Sequence, residues 1–134
     1  MVIFVDTSAI YALLNAGDIN HGPAKAQWLQ WVDGSINFVV TNYVLLETSA
    51  LVQRRLGMQS FRQFHDLLLP TMDVFWVSEK IHRQAMQMLL AADRRELSQV
   101  DCTSFVVMNE LGIQKAFTFD RHFVQAGFTV LPAI

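Results

Sequence analysis

Short apolar runs alternate along this chain with longer segments in which apolar residues recur every three or four positions. The short runs are typical of strands buried on both faces, and the longer segments are typical of amphipathic helices. Several ends are marked by local signals, such as the capping residue Ser78 and the helix-ending Gly57. We predict strands at residues 2–5, 36–40, 74–77, 115–119 and 128–131. We predict helices at residues 9–14, 23–32, 43–56, 60–69, 79–92, 99–111 and 122–126.

This alternation of strands and helices indicates the fold class. Strands separated by helices form a parallel sheet with helices on both faces. We therefore predict an α/β protein, a three-layer α/β/α arrangement with a central parallel sheet of about five strands. A chain of 134 residues has room for one such domain, residues 1–134. Hydrophobic residues make up 52% of the chain and charged residues 16%, which excludes an intrinsically disordered protein.

The first apolar run, the absence of a long apolar segment and the single cysteine indicate the cellular compartment. The first apolar run has no basic residue before it and is followed at once by Asp6, so we expect no signal peptide. The longest strictly apolar run, residues 88–92, is far shorter than the roughly 18 residues of a membrane span. The single cysteine, Cys102, cannot form an internal disulfide, and we interpret it as a small buried hydrophobic residue. We expect a cytoplasmic protein.

The overall charge gives no reason to expect bulk attraction of nucleic acid. The formal net charge is −2 and the isoelectric point is about 6.0. Phosphate would have to be bound by a local cationic groove or through metal ions. The mean hydropathy of +0.28 is high for so short a chain, which also contains three Trp and ten Phe. We therefore expect a partner to cover part of the apolar surface, and we predict a homodimer.

Four of the twelve acidic residues do not fit a solvated surface. Asp6 and Asp120 each directly follow a predicted buried strand, so they emerge at the carboxyl edge of the sheet, where α/β folds bind ligands. Glu47 and Asp101 lie on predicted helices among mostly apolar neighbours, with no cation at helical contact spacing. If the first and fourth strands are neighbours, all four carboxylates converge on one cleft.

Such a cluster needs neutralisation. Two unit charges about 4 Å apart repel by roughly 4 kcal/mol at an effective dielectric near 20. Oxygen ligands, with no His or Cys expected close by, favour a hard cation, and we predict one or two Mg²⁺ or Mn²⁺ ions. Metal ions held in this way activate water and stabilise both oxygens of an in-line phosphoryl displacement. The pattern therefore favours hydrolysis of a phosphodiester.

A structural interpretation of the same residues competes with this one. Asp6 and Asp120 each precede a predicted helix and are suitable capping residues. Glu47 and Asp101 favour the metal site, because a mid-helix position or apolar neighbours are not explained by capping. The four histidines lack the paired spacing of a zinc site, and only His122 lies near the proposed cleft, where we expect a structural hydrogen bond.

Four segments of the chain resemble the signatures of the PIN domain, in particular of the VapC-type ribonuclease toxins. They are Val5-Asp6-Thr7-Ser8, Val44-Leu45-Leu46-Glu47, Leu97-Ser98-Gln99-Val100-Asp101-Cys102-Thr103-Ser104-Phe105 and Thr118-Phe119-Asp120-Arg121-His122-Phe123. The resemblance covers essentially the whole chain, and the last two segments are the most specific. One departure is Gln99-Val100, where relatives often carry smaller or hydroxyl residues.

The resemblance implies a function for these residues. Its four acidic metal-site positions correspond to Asp6, Glu47, Asp101 and Asp120. The implied activity is Mg²⁺- or Mn²⁺-dependent endoribonuclease cleavage of RNA, in a toxin that a protein antitoxin neutralises. The hydroxyls beside the metal ligands would come from Thr7, Ser8 and Thr118.

Arginines are the candidates for contacts with RNA, and we single out Arg121, beside Asp120, together with Arg54 and Arg55. Two other functions remain open. One is a catalytically silent PIN module that binds RNA or protein. The other is a receiver-type phosphoacceptor, although that chemistry calls for paired acids after the first strand and a lysine at the end of a late strand, whereas Lys115 begins its strand.

Overall fold

Five parallel strands form the central sheet of the computed structural model, which describes residues 1–134. Most of their residues are apolar and about half are buried, which agrees with strands covered on both faces. The strands are β1 (Val2–Val5), β2 (Asn37–Thr41), β3 (Met72–Phe75), β4 (Lys115–Phe117) and β5 (Thr129–Leu131).

Seven α-helices connect and flank these strands. They are α1 (Thr7–Leu14), α2 (His21–Trp31), α3 (Asn42–Leu56), α4 (Met58–Gln63), α5 (Glu79–Ala92), α6 (Gln99–Leu111) and α7 (Arg121–Gln125). The predicted fold class, an α/β arrangement with a central parallel sheet of about five strands, is confirmed. None of the helices is both long and apolar enough to cross a membrane.

The strand order places the first and fourth strands side by side. The sheet runs β3-β2-β1-β4-β5, and every neighbouring pair is parallel. The chain moves from β1 outward to β3, then returns to add β4 on the other side of β1. The carboxyl ends of β1 and β4 therefore flank a topological switch point, the place where open α/β sheets bind ligands.

One continuous hydrophobic core holds the elements near this switch point in place. Phe4 of β1 and Phe117 of β4 are fully buried in a cluster of 26 hydrophobic residues. The ring of Phe123 in α7 lies 6.4 Å from that of Phe4 and 5.0 Å from that of Phe105 in α6, measured between centroids. These contacts fix α6 and α7 against the central strands.

Two predicted strands differ from the structure by two residues at one or both ends, whereas the others agree to within one residue. The third strand is Met72–Phe75 instead of 74–77, because the apolar run continues past the end of the ladder. Trp76 is 73% exposed, and the backbone N–H of Val77 donates to Asn42 Oδ1 instead of to a neighbouring strand. The fourth strand ends at Phe117, so Asp120 follows it after two residues and not directly.

The helix predicted at residues 60–69 is also different. The segment begins as α4, widens into one π-helical turn at Phe64–Leu68, and ends in a 3₁₀ turn at Leu69–Thr71. Apolar periodicity does not distinguish these helix types here, because their different numbers of residues per turn become visible only over several turns and each segment is about one turn long.

Candidate active site

Asp6 lies at the centre of a hydrogen-bonded group at the carboxyl end of β1. It caps α1, and its side chain is almost completely buried. Its Oδ2 accepts hydrogen bonds from the hydroxyls of Ser8 (2.8 Å) and Thr118 (2.9 Å) and a longer one from the Ser8 backbone N–H (3.4 Å). All of these bonds go to one oxygen, which leaves Oδ1 available to another ligand.

The same two hydroxyls hold the segment after β4 against Asp6. The Thr118 oxygen accepts from the backbone N–H of Asp120 (3.0 Å), and the Ser8 oxygen accepts from that of Phe119 (2.9 Å). The register of β1 and β4, with Val5 beside Phe117, brings these residues together. Asp120 is therefore positioned by backbone contacts that depend on the residues around Asp6.

Asp101 enters the same region from the start of α6. It forms a capping box with Ser98, in which Asp101 N–H donates to Ser98 Oγ (3.0 Å) and Ser98 N–H donates to Asp101 Oδ2 (3.1 Å). The expectation that capping does not explain Asp101 is wrong, because Asp101 is the third residue of the helix. Gln99, the departure from the family pattern, begins the helix and donates to the His82 carbonyl of α5 (3.4 Å).

His122 lies between two of the acids. Its Nδ1 is 3.1 Å from Asp120 Oδ1 and 3.5 Å from Asp101 Oδ2. One ligand atom from each of these three residues lies within 4.8 Å of the others. His122 therefore lies near the acids as expected, but the predicted set of oxygen ligands alone does not describe the whole group. The expected structural hydrogen bond of this ring nitrogen is also absent, since Nδ1 is buried and hydrogen bonds to neither oxygen.

Glu47 approaches the group from the second turn of α3. It is exposed, so the expectation that Glu47 does not belong to the solvated surface is wrong, although Val44, one turn before it, is buried. Thr7 lies beside α3 and does not bond to Asp6. Its hydroxyl donates to the Val44 carbonyl (3.4 Å) and accepts from the Thr48 hydroxyl (3.0 Å), which ties α1 to the turn that carries Glu47.

The electrostatics link all four carboxylates. Burial raises the pKa of Asp6 to about 6, and repulsion from Asp101 and Asp120 adds to the rise. Partial desolvation of its carboxylate raises the pKa of Glu47, although the residue as a whole is exposed, and repulsion from Asp101 and Asp120 adds to the rise. The pKa of Asp101 is raised by burial and by the charge of Asp120. Each acid therefore lies within the electrostatic range of at least two others, with no lysine or arginine among them.

This arrangement has the donor set of a divalent cation site. Carboxylate oxygens are the ligands that Mg²⁺ and Mn²⁺ prefer, and Asp101, Asp120 and His122 lie close enough to share one ion. A cation would relieve the repulsion that raises the pKa values of the acids. It would also provide a partner for the buried Nδ1 of His122.

The capping interpretation is correct as far as it goes. Asp6 Oδ2 accepts from the Ser8 N–H, and Asp120 Oδ1 accepts from the His122 N–H (2.9 Å). Capping explains why each residue is acidic in its own turn. It does not explain why three capping acids from distant parts of the chain face one another, or why the pKa values of Asp6 and Asp101 are raised.

The three candidate arginines are placed differently. Arg121 is exposed and directly follows Asp120, at the rim of the acidic group. Arg54 and Arg55 lie in the last turn of α3, about 10 Å or more along the helix axis from Glu47. The guanidinium of Arg55 lies over the ring of Tyr11, 6.0 Å from its centroid. The structure therefore brings only Arg121 next to the acids.

The sequence pattern gives too little weight to two side chains near the acids, His122 and Arg94. The sequence pattern predicts a structural role for His122, because the histidines lack the paired spacing of a zinc site. Arg94, which the sequence pattern does not single out, bonds to Glu96 (3.1 Å) and to Gln125 (3.2 Å) and lines a small cavity together with His122. The spacing of His122 two positions after Asp120 is the signal that would have placed it at the site.

Comparison with known proteins identifies the family. The PIN domain family profile matches residues 3–129. The 23S rRNA-specific endonuclease VapC20 of Mycobacterium tuberculosis is 42% identical over 128 residues, which are 95% of each chain. The crystal structure of M. tuberculosis VapC20, a sarcin-ricin loop cleaving toxin, matches 95% of this chain and 96% of its own, with a TM-score of 0.84 and 41% identity.

More distant structures share the fold. VapBC2 from Rickettsia felis gives a TM-score of 0.71 with 11% identity, and the match covers 97% of each chain. FitAcB from Neisseria gonorrhoeae gives a TM-score of 0.66 with 15% identity, over 97% of this chain and 96% of the other. The family profile covers nearly the whole chain, and the elements it spans carry the acidic group described above. The chain belongs to the PIN domain family.

Proposed function

We propose that this protein is a metal-dependent endoribonuclease of the VapC type. The observation that carries the proposal is the convergence of Asp6, Glu47, Asp101 and Asp120 at the switch point between β1 and β4. Burial, with mutual repulsion adding to it, raises the pKa values of Asp6, Glu47 and Asp101. The identity of 42% over 95% of the chain with an rRNA endonuclease supports the same activity. The single-domain organisation, residues 1–134, remains a prediction that the one continuous core supports.

The four acids would hold one or two Mg²⁺ or Mn²⁺ ions. When bound there, the ion activates water and stabilises charge on the phosphodiester. Asp101 and Asp120 would contribute from the first turn of α6 and the start of α7, and Asp6 from the position directly after β1. Glu47 is the most exposed of the four and completes the set from the solvent side.

The residues around the acids orient them. Ser8 and Thr118 fix Asp6 through Oδ2, which directs Oδ1 away from these hydroxyls. The Ser98 capping box fixes Asp101 in the same way. Thr7 acts on the α3 side, where it bonds to the Val44 carbonyl and the Thr48 hydroxyl and so holds the turn that carries Glu47. Preoriented ligands need less reorganisation during the reaction.

The substrate class follows from the relative. VapC20 is a 23S rRNA-specific endonuclease, and we propose that this protein also cleaves ribosomal RNA. Arg121 is the arginine best placed to contact a phosphate next to the acids. The net charge of −2 gives little general attraction for RNA, so the metal and local contacts would have to supply it.

We also propose partners. VapC20 is described as a toxin, and a toxin of this kind would need a protein antitoxin. Exposed large apolar residues provide surface for partners, and the homodimer predicted from composition would use part of it. The most exposed of these residues are Ile19, Leu46, Leu67, Trp76 and Leu90.

The receiver-type alternative is not supported. Receiver chemistry calls for paired acids after the first strand, whereas the single acid Asp6 follows β1. Lys115 opens β4 at the opposite edge of the sheet, where its Nζ contacts the Met1 sulfur at 3.3 Å. No lysine therefore stands beside Asp6 to serve phosphotransfer. A catalytically silent PIN module would not cleave RNA, and cleavage therefore separates it from the proposed nuclease.

The test is cleavage of purified ribosomal RNA, with transfer RNA as the second substrate, in Mg²⁺, in Mn²⁺ and in EDTA. We expect specific cuts in ribosomal RNA that EDTA abolishes and that Asp101→Asn reduces by at least about a hundredfold. Asp73→Asn, at an exposed position in β3, is the control with the same chemical change. Cleavage in EDTA, or an Asp101→Asn variant as active as Asp73→Asn, would show that the proposal is wrong.

A further inference from the structure

His122 is the second residue of α7 and follows Asp120 by two positions. Its side chain is only 18% exposed, and its Nδ1 is fully buried. That nitrogen lies 3.1 Å from Asp120 Oδ1 and 3.5 Å from Asp101 Oδ2 but forms a hydrogen bond with neither oxygen. The in-plane direction of Nδ1 therefore does not point along the line to either carboxylate.

The distances agree with those between ligand atoms of one metal ion. Ligand atoms about 2.1 Å from an ion are about 3.0 Å apart at right angles and about 3.4 Å apart in a tetrahedron. The two separations from Nδ1 are close to these values. A shared ion also explains the missing hydrogen bonds, because a ring nitrogen that faces an ion does not face the ion's other ligands.

We propose that His122 Nδ1 is a nitrogen ligand of the metal ion that Asp101 and Asp120 bind. This inference rests on the proposed metal-dependent function and adds a residue that the four-acid pattern does not contain. Its chemical consequence is selectivity. Imidazole binds transition metals better than it binds Mg²⁺, which prefers oxygen ligands and retains its water. The site therefore prefers Mn²⁺ to Mg²⁺ by more than a purely carboxylate site would.

A protonated His122 offers a different explanation of the same proximity. An imidazolium would stabilise Asp101 and Asp120 as an ion pair and would be displaced by a cation. The ion-pair arrangement favours hydrogen bonds from Nδ1–H to a carboxylate, and the structure has none. The two explanations differ in one direct observable, which is whether nitrogen is bonded to the metal.

The test is pulsed electron paramagnetic resonance of Mn²⁺ bound to the full chain, prepared with natural and with ¹⁵N-labelled histidine. We expect a nitrogen coupling typical of a directly bound imidazole, which changes to the ¹⁵N pattern with the label. His122→Ala should lose the coupling, and His65→Ala should keep it, since His65 is exposed and pairs with Asp66 away from the site. The labelled wild-type protein gives the answer even if His122→Ala does not fold.

Calorimetry with each metal gives the second measurement. We expect His122→Ala to weaken Mn²⁺ binding by about tenfold or more and to change Mg²⁺ binding much less. Bound Mn²⁺ without a histidine coupling would overturn this inference and leave the proposed nuclease intact. Failure of the wild-type protein to bind Mn²⁺ at all would overturn both. Equal losses for the two metals would show that His122 supports the fold of the site and does not bind the ion.

Discussion

The Thr118 hydroxyl donates a 2.9 Å hydrogen bond to Asp6 Oδ2 and accepts a 3.0 Å hydrogen bond from the backbone N–H of Asp120. One oxygen atom therefore connects two acids that are 114 positions apart in the chain. The connection depends on β1 and β4 being neighbours, because Thr118 follows directly the residue that is paired with Val5.

Thr118→Val keeps the shape of the side chain and removes this connection. We expect a loss of about 1–3 kcal/mol in the free energy of unfolding, because two buried hydrogen bonds lose their partner, and a lower cleavage rate. Thr118→Ser should recover most of both. Urea unfolding and initial cleavage rates measure the effects, with Thr129→Val, at an exposed position of β5, as the control. If both valine variants behave alike, Thr118 has no special role.

The raised pKa of Asp6 predicts how stability changes with pH. The folded protein holds the Asp6 proton up to about pH 6, whereas the unfolded chain releases it near 3.8, so the folded state binds more protons between these values. The free energy of unfolding should therefore fall as pH rises from about 4 to about 6, by about 3 kcal/mol from Asp6. The raised pKa values of Glu47 and Asp101 act in the same direction.

Asp6→Asn should flatten this slope in metal-free buffer, as measured by urea unfolding at a series of pH values. Asp33→Asn is the contrasting control. Hydrogen bonds from Ser35 lower the pKa of Asp33, so this residue changes the pH dependence of the free energy of unfolding only below about pH 4. Asp33→Asn should leave the slope between pH 4 and 6 almost unchanged. A wild-type free energy of unfolding that rises between pH 4 and 6 would contradict the raised pKa of Asp6.

Two helix caps of the same kind separate stability from activity. Ser98 caps α6 next to Asp101, and Ser78 caps α5 by accepting from the Ile81 N–H (3.2 Å). Each serine-to-alanine change should cost about 1 kcal/mol in the free energy of unfolding. Only Ser98→Ala should also reduce cleavage severalfold, because it removes half of the capping box that orients Asp101. Equal activity in the two variants would show that the capping box does not position the acid.

The arginines predict a difference in RNA binding. Arg121 is exposed beside Asp120, whereas Arg54 lies two turns beyond Glu47 on α3. We expect Arg121→Ala to weaken binding of a ribosomal RNA fragment by severalfold. It should also reduce the slope of the logarithm of the binding constant against the logarithm of the salt concentration by the amount typical of about one phosphate contact. Arg54→Ala should have little effect. Fluorescence anisotropy over a range of salt concentrations measures both, and the reverse order would place the RNA path along α3 instead.

The hydrophobic pattern of the sequence is sufficient to predict the strands and helices that are held in place by apolar packing alone. The run Val2–Val5 is β1, and the neighbouring β1 and β4 needed to bring Asp6 and Asp120 together are observed. The pattern was misleading at Trp76, because an apolar residue beyond the end of a strand looks the same in sequence as one inside it. Trp76 extends into solvent where the ladder has ended.

The polar contacts were harder to predict, since they depend on three-dimensional direction. Ser8 and Thr7 are adjacent in the chain, yet the Ser8 hydroxyl bonds to Asp6 and the Thr7 hydroxyl bonds to α3. Asp101 was expected among apolar neighbours, and it forms a capping box that requires the observed start of α6 at Gln99. His122 was interpreted from its spacing to other histidines, whereas its contacts are with acids from two different helix starts.

The most direct test of the metal site is anomalous diffraction from a crystal of this protein equilibrated with Mn²⁺. The account predicts an anomalous peak within bonding distance of Asp101 and Asp120, which Asp101→Asn weakens or removes. An occupied Mn²⁺ position elsewhere on the molecule, with none between these two carboxylates, would contradict it.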